Sequence, residues 1–92
     1  MSYKFIELKR YLNDNSINFS SDIPDDTLIQ GINSVEIADN HQITFYTNYK
    51  YLDALRSTKA KACFIKKDYI NFLPNTCIPI IVNDPYLAFV YS

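Results

Sequence analysis

Apolar and polar side chains alternate over residues 43–47, and this period of two is typical of a β-strand. One face carries Ile43, Phe45 and Thr47, and the other carries Thr44 and Tyr46. Asn48 follows where a helix would begin, and Asn is a favoured helix N-cap. We therefore expect a strand that runs directly into a helix. In an open α/β sheet, such a junction lies at the carboxyl end, where ligands usually bind.

The pattern before this strand predicts one amphipathic helix over residues 2–12, with Phe5, Leu8 and Leu12 as its apolar stripe. Residues 16–26 form a polar connection in which Ile17 and Phe19 could add a short edge strand. A strand is expected over residues 27–32, and a single turn over residues 33–40.

The pattern after residue 48 predicts a helix over residues 49–57 that buries Leu52 and Leu55, followed by a strand over residues 59–65. The apolar run from Ala62 to Ile65 favours a strand that is covered on both faces. The two strands around this helix should be parallel, with a right-handed crossover.

The last third should contain a loop or short helix over residues 66–76, with Tyr69, Phe72 and Leu73 tucked beneath it. A strand is expected over residues 78–82. Its Pro79 indicates a sheet edge or the start of a strand, because proline cannot donate to the ladder.

Asp84 should cap a final helix that begins at Pro85. Its Leu87, Phe89 and Val90 have little preceding chain to cover them, which suggests that the sequence is a truncated piece. The predicted fold is α/β: a small single domain with a mixed sheet, a right-handed β-α-β unit and flanking helices.

Composition narrows the class of protein. The chain has 92 residues, 48% of them apolar, with eight tyrosines and six phenylalanines, which suffices for one core. A net charge of −1 argues against a nucleic-acid binder, because nonspecific affinity for nucleic acid depends on many Lys and Arg residues. The sequence contains neither a membrane-spanning run nor a signal-peptide core, so we expect a cytoplasmic protein.

The two cysteines, Cys63 and Cys77, lie in apolar runs and are interpreted as small core residues. Together with His41 they supply too few ligands for a zinc site. The sequence therefore predicts neither a metal nor a cofactor.

Phe45, Asn48 and Tyr51 are spaced three residues apart across the strand–helix junction. Two ring faces and one amide at a common spot would suit a pyrimidine base. The amide could accept from N3–H of uracil and donate to a neighbouring carbonyl, while the rings stack on the base. The alternative is structural: Asn48 would be only a helix cap, and the two aromatic residues would belong to the core.

The motif ITFYTNYKY, from Ile43 to Tyr51, resembles a motif of the UDP-3-O-(3-hydroxyacyl)glucosamine N-acyltransferase family of lipid A biosynthesis. That motif is an ITF strand, a short spacer and then Asn-Pro-Lys-Tyr. The resemblance extends from about residue 28 to the end of the chain. It implies that the chain is the amino-terminal uridine-binding domain, with Phe45 and Tyr51 around the uracil ring of a UDP-sugar and Asn48 at the base edge. Tyr49 replaces the usual proline of the motif, and Asp84 stands where Asn is common.

The resemblance also implies that substrate binding and catalysis involve different domains. In the family, acyl transfer from acyl carrier protein takes place in a left-handed β-helix of hexapeptide repeats, and this sequence contains no such repeats. We therefore expect no catalytic residue in the chain, with His41 in a structural position. The family further implies a homotrimeric parent enzyme held by the β-helix, so this piece alone should be a monomer.

Three other interpretations stay open at this stage. The chain could be the uridine-binding domain of another UDP-sugar enzyme, such as a muramoyl-peptide ligase. It could bind single-stranded nucleic acid on an aromatic platform, or it could be a purely structural or interaction domain. Titration with UDP and with short RNA would separate these classes.

Overall fold

Short strands and helices make up the chain in the computed structural model, which describes residues 2–90 and the side chains of residues 2–88. In order, the elements are β1 (Tyr3–Lys4), α1 (Phe5–Asp14), β2 (Phe19–Ser21), β3 (Leu28–Ile29), β4 (Ile43–Phe45), a 3-10 turn (Tyr49–Tyr51), α2 (Leu52–Arg56), β5 (Ala62–Ile65), a second 3-10 segment (Lys67–Phe72), β6 (Ile78–Val82) and α3 (Pro85–Val90).

The main sheet has four strands in the order β2-β6-β5-β4. Strands β4, β5 and β6 are parallel neighbours, and β2 pairs antiparallel with β6. The predicted α/β fold with a mixed sheet is therefore confirmed, as is the parallel pairing of the two strands that flank α2. All four residues of β5 are buried, as the apolar run indicated, because Ala62 and Phe64 pack into one apolar cluster and Cys63 and Ile65 pack into another on the opposite face of the sheet.

Helix α1 begins at Phe5, and the prediction that it starts at residue 2 was wrong. Residues Tyr3 and Lys4 instead form β1, which pairs antiparallel with β3. The Lys4 backbone N–H donates to Glu7 Oε2 at 3.0 Å and so marks the start of the helix. The predicted apolar stripe is confirmed, since its members are at most 3% exposed.

Strand β6 corrects the interpretation of Pro79 as an edge signal. The strand lies inside the sheet between β2 and β5, but Pro79 is only its second residue. The ladder with β2 ends at the pair Ser21–Ile80, so pairing with β2 requires no backbone N–H donor at Pro79. The Pro79 carbonyl accepts from Ser21 Oγ at 2.9 Å. The prediction of a strand start was therefore right and that of an edge strand was wrong.

Several elements have boundaries that differ from those predicted from the sequence. The strand expected over residues 27–32 is reduced to β3, although Ile32 forms an isolated parallel bridge with Ile43. The helix expected over residues 49–57 begins as a 3-10 turn before it becomes α2. Tyr69 was expected to be covered, but it is 39% exposed because it lies beside a surface cavity.

The sheet separates two apolar clusters. One contains α1 residues together with Ile43 and Phe64. The other contains Leu55, Cys63 and Cys77. Both thiols are free and buried, as predicted for core residues.

Asp84 caps α3 as expected, since its Oδ1 accepts from the Leu87 N–H at 3.1 Å. Leu87 is 43% exposed, in line with the expectation of poor cover. The side chains of Phe89 and Val90 lie outside the described part of the chain. Within that part, no helix has the length and apolar character that crossing a membrane requires.

Candidate functional site

A groove opens where β4 ends, at the carboxyl edge of the parallel strands. We call it the base groove. Its cavity of about 180 Å³ is lined by Ser34, Val35, Glu36, Phe45, Tyr46, Thr47 and Tyr51. The lining therefore comes from the end of β4, from the 3-10 turn that follows it and from a turn earlier in the chain. This is the edge at which open α/β sheets usually bind ligands.

Two of the three predicted site residues, Phe45 and Tyr51, line the base groove together. Phe45 is half-buried at the end of β4, and Tyr51 is 37% exposed at the end of the 3-10 turn. Lys50 Nζ lies 5.1 Å from the centroid of the Tyr51 ring, in cation–π contact with one face of it. The strand therefore fixes one ring, and the turn together with Lys50 positions the other.

Asn48 occupies a different position from the two rings. Its Oδ1 accepts from the backbone N–H of Lys50 at 3.0 Å, and its backbone carbonyl accepts from the N–H of Tyr51. The predicted N-cap is thus confirmed, and Asn48 is not one of the residues that line the base groove. The cap fixes which end of the amide is engaged, and it leaves both N–H donors of Nδ2 unused by the turn.

Sequence reasoning missed the contribution of Ser34, Val35 and Glu36. These residues reach the groove because the chain before them runs alongside β4. The Ile43 N–H donates to the Gly31 carbonyl and the Asn33 N–H donates to the Ile43 carbonyl, both at 3.0 Å. The sequence hints at this arrangement only through the apolar Ile32, which continues the strand-like pattern toward this edge. The polar turn that follows Ile32 carries no such pattern.

A second cavity lies beside the base groove and shares Tyr46 and Thr47 with it. We call it the tyrosine pocket. It measures about 200 Å³ and is lined by Tyr46, Thr47, Tyr49, Lys66, Tyr69, Asp84, Pro85 and Tyr86. Thr47, Lys66 and Asp84 each follow one of the three parallel strands. Both cavities therefore lie at the same edge of the sheet.

Two rings of the tyrosine pocket are packed against each other. Tyr46 and Tyr69 meet edge to face with 5.6 Å between ring centroids. Burial raises the pKa of the Tyr46 hydroxyl, and the neighbouring Tyr69 and Tyr49 phenols raise this pKa further. A tyrosine hydroxyl is protonated at neutral pH even without this shift, so the Tyr46 hydroxyl can donate as well as accept a hydrogen bond.

His41 stands apart from both cavities. It is exposed, and its backbone N–H donates to Asp39 Oδ1 at 2.9 Å in the turn before β4. Over residues 2–90, no group of three or more His, Cys, Asp or Glu side chains could hold a metal ion.

Comparison with known proteins gives one consistent family. The sequence model of UDP-3-O-(3-hydroxymyristoyl) glucosamine N-acyltransferase matches residues 26–91. The chain is similar to three curated proteins named UDP-3-O-acylglucosamine N-acyltransferase. Identity is 37% over 60 residues to that of Granulibacter bethesdensis, 37% over 54 residues to that of Caulobacter vibrioides and 36% over 61 residues to that of Psychrobacter arcticus.

These similar segments cover 65%, 59% and 66% of this chain, respectively. They cover only 18%, 16% and 18% of the relatives. Residues 26–91, which the family model matches, include all residues that line the base groove and the tyrosine pocket. The similar segments leave most of each relative without a counterpart in this chain.

Proposed function

Since the chain belongs to the UDP-3-O-(3-hydroxymyristoyl) glucosamine N-acyltransferase family, we propose that it binds the uracil ring of a UDP-linked acylated glucosamine. The bound sugar would be the acceptor for N-acylation in lipid A biosynthesis. The base would occupy the base groove, with Phe45 and Tyr51 as stacking rings and Asn48 at its polar edge.

The observation that carries this proposal is the convergence of Phe45 and Tyr51 on one groove at the carboxyl edge of the sheet. Base–aromatic stacking contributes about 1–3 kcal/mol per base in single-strand binders. Lys50 covers one face of Tyr51, so a base stacks on the opposite face. The Lys50 contact also reduces the rotational freedom that Tyr51 would lose on binding.

Asn48 supplies the hydrogen bonds in this proposal without leaving its cap. An amide oxygen has two lone pairs, so Oδ1 can keep the Lys50 N–H and also accept from N3–H of uracil. Nδ2 then donates to the adjacent base carbonyl. Because Asn48 does not line the groove, the proposal requires the turn to carry the amide to the groove edge when the base binds.

Catalysis is assigned to another part of the protein. We propose that acyl transfer from acyl carrier protein takes place in a segment that corresponds to the unmatched length of the relatives, in a left-handed β-helix domain. The described residues would then hold the nucleotide end of the substrate. Mixed with acyl-carrier-protein thioester and acylated UDP-glucosamine, the 92-residue chain should give no amide product above background.

Base specificity tests the proposal. Cytosine has a lone pair at N3 and an amino group at C4, so it would face Asn48 with the wrong polarity. Flipping the amide to suit cytosine would break the Lys50 cap. An unpaired buried polar group costs about 1–3 kcal/mol, so UDP should bind at least roughly fivefold more tightly than CDP. Calorimetric titration measures both, and equal affinity, or no binding of either, would contradict the proposal.

A further inference from the structure

Basic residues are concentrated in one part of the chain. Residues 50–72 hold six of the nine Lys and Arg residues and only two of the ten Asp and Glu residues. This segment therefore carries a net charge of +4, and the rest of the chain carries −5. The overall charge of −1 conceals this separation, which gives the molecule one side that attracts anions.

The basic segment forms a layer on a single face of the sheet. Helix α2 and the second 3-10 segment both pack on the apolar cluster that contains Leu55, whereas α1 packs on the cluster of the opposite face. Arg56 Cζ lies 5.2 Å from the centroid of the Phe72 ring and so joins the two elements of the layer. Four exposed basic residues lie on this layer or at its ends, and we call their surface the basic face: Lys50, Arg56, Lys66 and Lys67.

Aromatic rings lie between the charges of the basic face. Lys50 is in contact with Tyr51. The Phe72 ring stacks on that of Tyr69 with 6.5 Å between ring centroids, and Tyr69 lines the same pocket as Lys66. Tyrosine combines an apolar ring with a polar hydroxyl, and lysine and arginine have apolar stems with charged ends. Side chains of this kind suit the boundary between water and an apolar phase, where they are enriched in membrane proteins.

The positive charge of the basic face is available to a partner. Among the side chains of residues 2–88, the one ion pair joins Lys9 to Asp25, so it uses none of the four basic-face residues. The acidic residues of the same layer are Asp53 and Asp68, and both are exposed. They offset only part of the charge, which is why the segment keeps its excess of positive charge.

We propose that the basic face binds an anionic lipid bilayer, with its lysine and arginine side chains at the headgroups and its tyrosine rings at the boundary with the acyl chains. The negative surface potential of such a bilayer attracts clustered basic residues.

The choice of a bilayer over an acidic protein rests on the proposed function, because the proposed acceptor sugar carries an acyl chain. An acyl chain draws its carrier to a bilayer surface. Lys50 contacts Tyr51, which lines the base groove, so the groove lies beside the bound surface. Binding would therefore hold the groove where an acylated substrate is concentrated.

The test measures sedimentation of the chain with two kinds of vesicle. One kind contains phosphatidylcholine alone, and in the other about one third of it is replaced by phosphatidylglycerol, which is anionic. The double variant Arg56→Gln, Lys67→Gln removes two charges from the basic face, and neither residue lines the base groove or the tyrosine pocket. The double variant Arg10→Gln, Lys4→Gln is the matched control, because it removes the same two residue types at exposed positions on α1 and on the strand before it.

The wild-type chain should sediment with the anionic vesicles and much less with those of phosphatidylcholine. Each basic residue near an anionic surface contributes about fivefold to the affinity, so the basic-face variant should bind roughly thirtyfold more weakly. The control variant should bind like the wild type, and circular dichroism checks that both variants fold. Raising the salt concentration to about 0.5 M should release the wild type, because salt shortens the range of the attraction.

Three results would overturn the proposal: equal binding to both kinds of vesicle, no binding to either, or an equal loss of binding in both double variants. Binding to polyglutamate without binding to anionic vesicles would replace the bilayer by an acidic protein. UDP titration of the basic-face variant should match the wild type. If the wild type binds anionic vesicles through the basic face but does not bind UDP, the uracil proposal fails and bilayer binding stands.

Discussion

Asn48 Oδ1 and the Lys50 backbone N–H are 3.0 Å apart, and this hydrogen bond makes Asn48 the cap of the turn that carries Tyr51. The same amide is proposed to read the base edge. The structural and the functional role of this side chain can be separated, because the cap uses only Oδ1 and the proposed base contact also needs an N–H donor of Nδ2.

The first prediction uses Asn48→Asp. Asp caps a helix about as well as Asn, so the melting temperature should stay nearly unchanged. A carboxylate offers no donor to a uracil carbonyl and would face it lone pair to lone pair. The cost of about 1–3 kcal/mol corresponds to roughly fivefold to a hundredfold weaker UDP binding. Calorimetric titration and thermal melting measure the two effects. Unchanged UDP affinity at an unchanged melting temperature would mean that Asn48 is a cap alone.

The second prediction concerns Gly31, the one glycine of the chain, which has φ +115°. An added Cβ would meet nothing within 4 Å, so Gly31→Ala causes no clash. The backbone conformation alone should lower the free energy of unfolding by about 1–3 kcal/mol. Urea unfolding measures this change. A loss below about 0.5 kcal/mol would show that the backbone relaxes to a negative φ at little cost.

The third prediction concerns Cys77, whose thiol pKa is raised by burial from 9.0 to about 12. In the unfolded chain the thiol ionises first, so its contribution to stability is complete below about pH 9. That contribution is lost as the pH rises from about 9 toward 12. Cys77→Ala has no such thiol, and the stability gap between wild type and variant should narrow in this window.

Urea unfolding of both proteins at about pH 7 and at about pH 11 measures the gap. Lysine and tyrosine ionisation affects both proteins and cancels in the difference. A gap that stays constant across the window would contradict the burial of Cys77 that raises its pKa.

Much of the sheet could be predicted because its strands differ in their surroundings. The run from Ala62 to Ile65 is apolar at every position, as a strand covered on both faces requires, and β5 is that strand. The alternation that begins at Ile43 identified β4 in the same way. The helix caps Asn48 and Asp84 were also predictable, because capping is a local effect of side chain on backbone.

What failed depended on pairing between distant segments. Tyr3 and Lys4 continue the helical pattern of α1, but their partners in β3 hold them extended. Proline usually indicates an edge strand. Pro79 nevertheless lies in an inner strand, because the pairing of that strand with β2 stops at Ser21 and does not reach Pro79. Glu36 reaches the base groove only because the chain before it runs beside β4. The residue pattern of the turn that contains Glu36 does not reveal this pairing.

The most direct measurement is UDP titration of Tyr51→Ala against the wild type. Tyr51 is 37% exposed, so its removal should leave the chain folded, which circular dichroism checks. Tyr11→Ala makes the same change at a tyrosine that is 50% exposed on α1 and lines neither cavity. Loss of one stacking ring should cost about 1–3 kcal/mol, or roughly fivefold to a hundredfold in UDP affinity, with Tyr11→Ala unchanged. Equal UDP affinity in wild type and folded Tyr51→Ala would contradict uracil binding in the base groove.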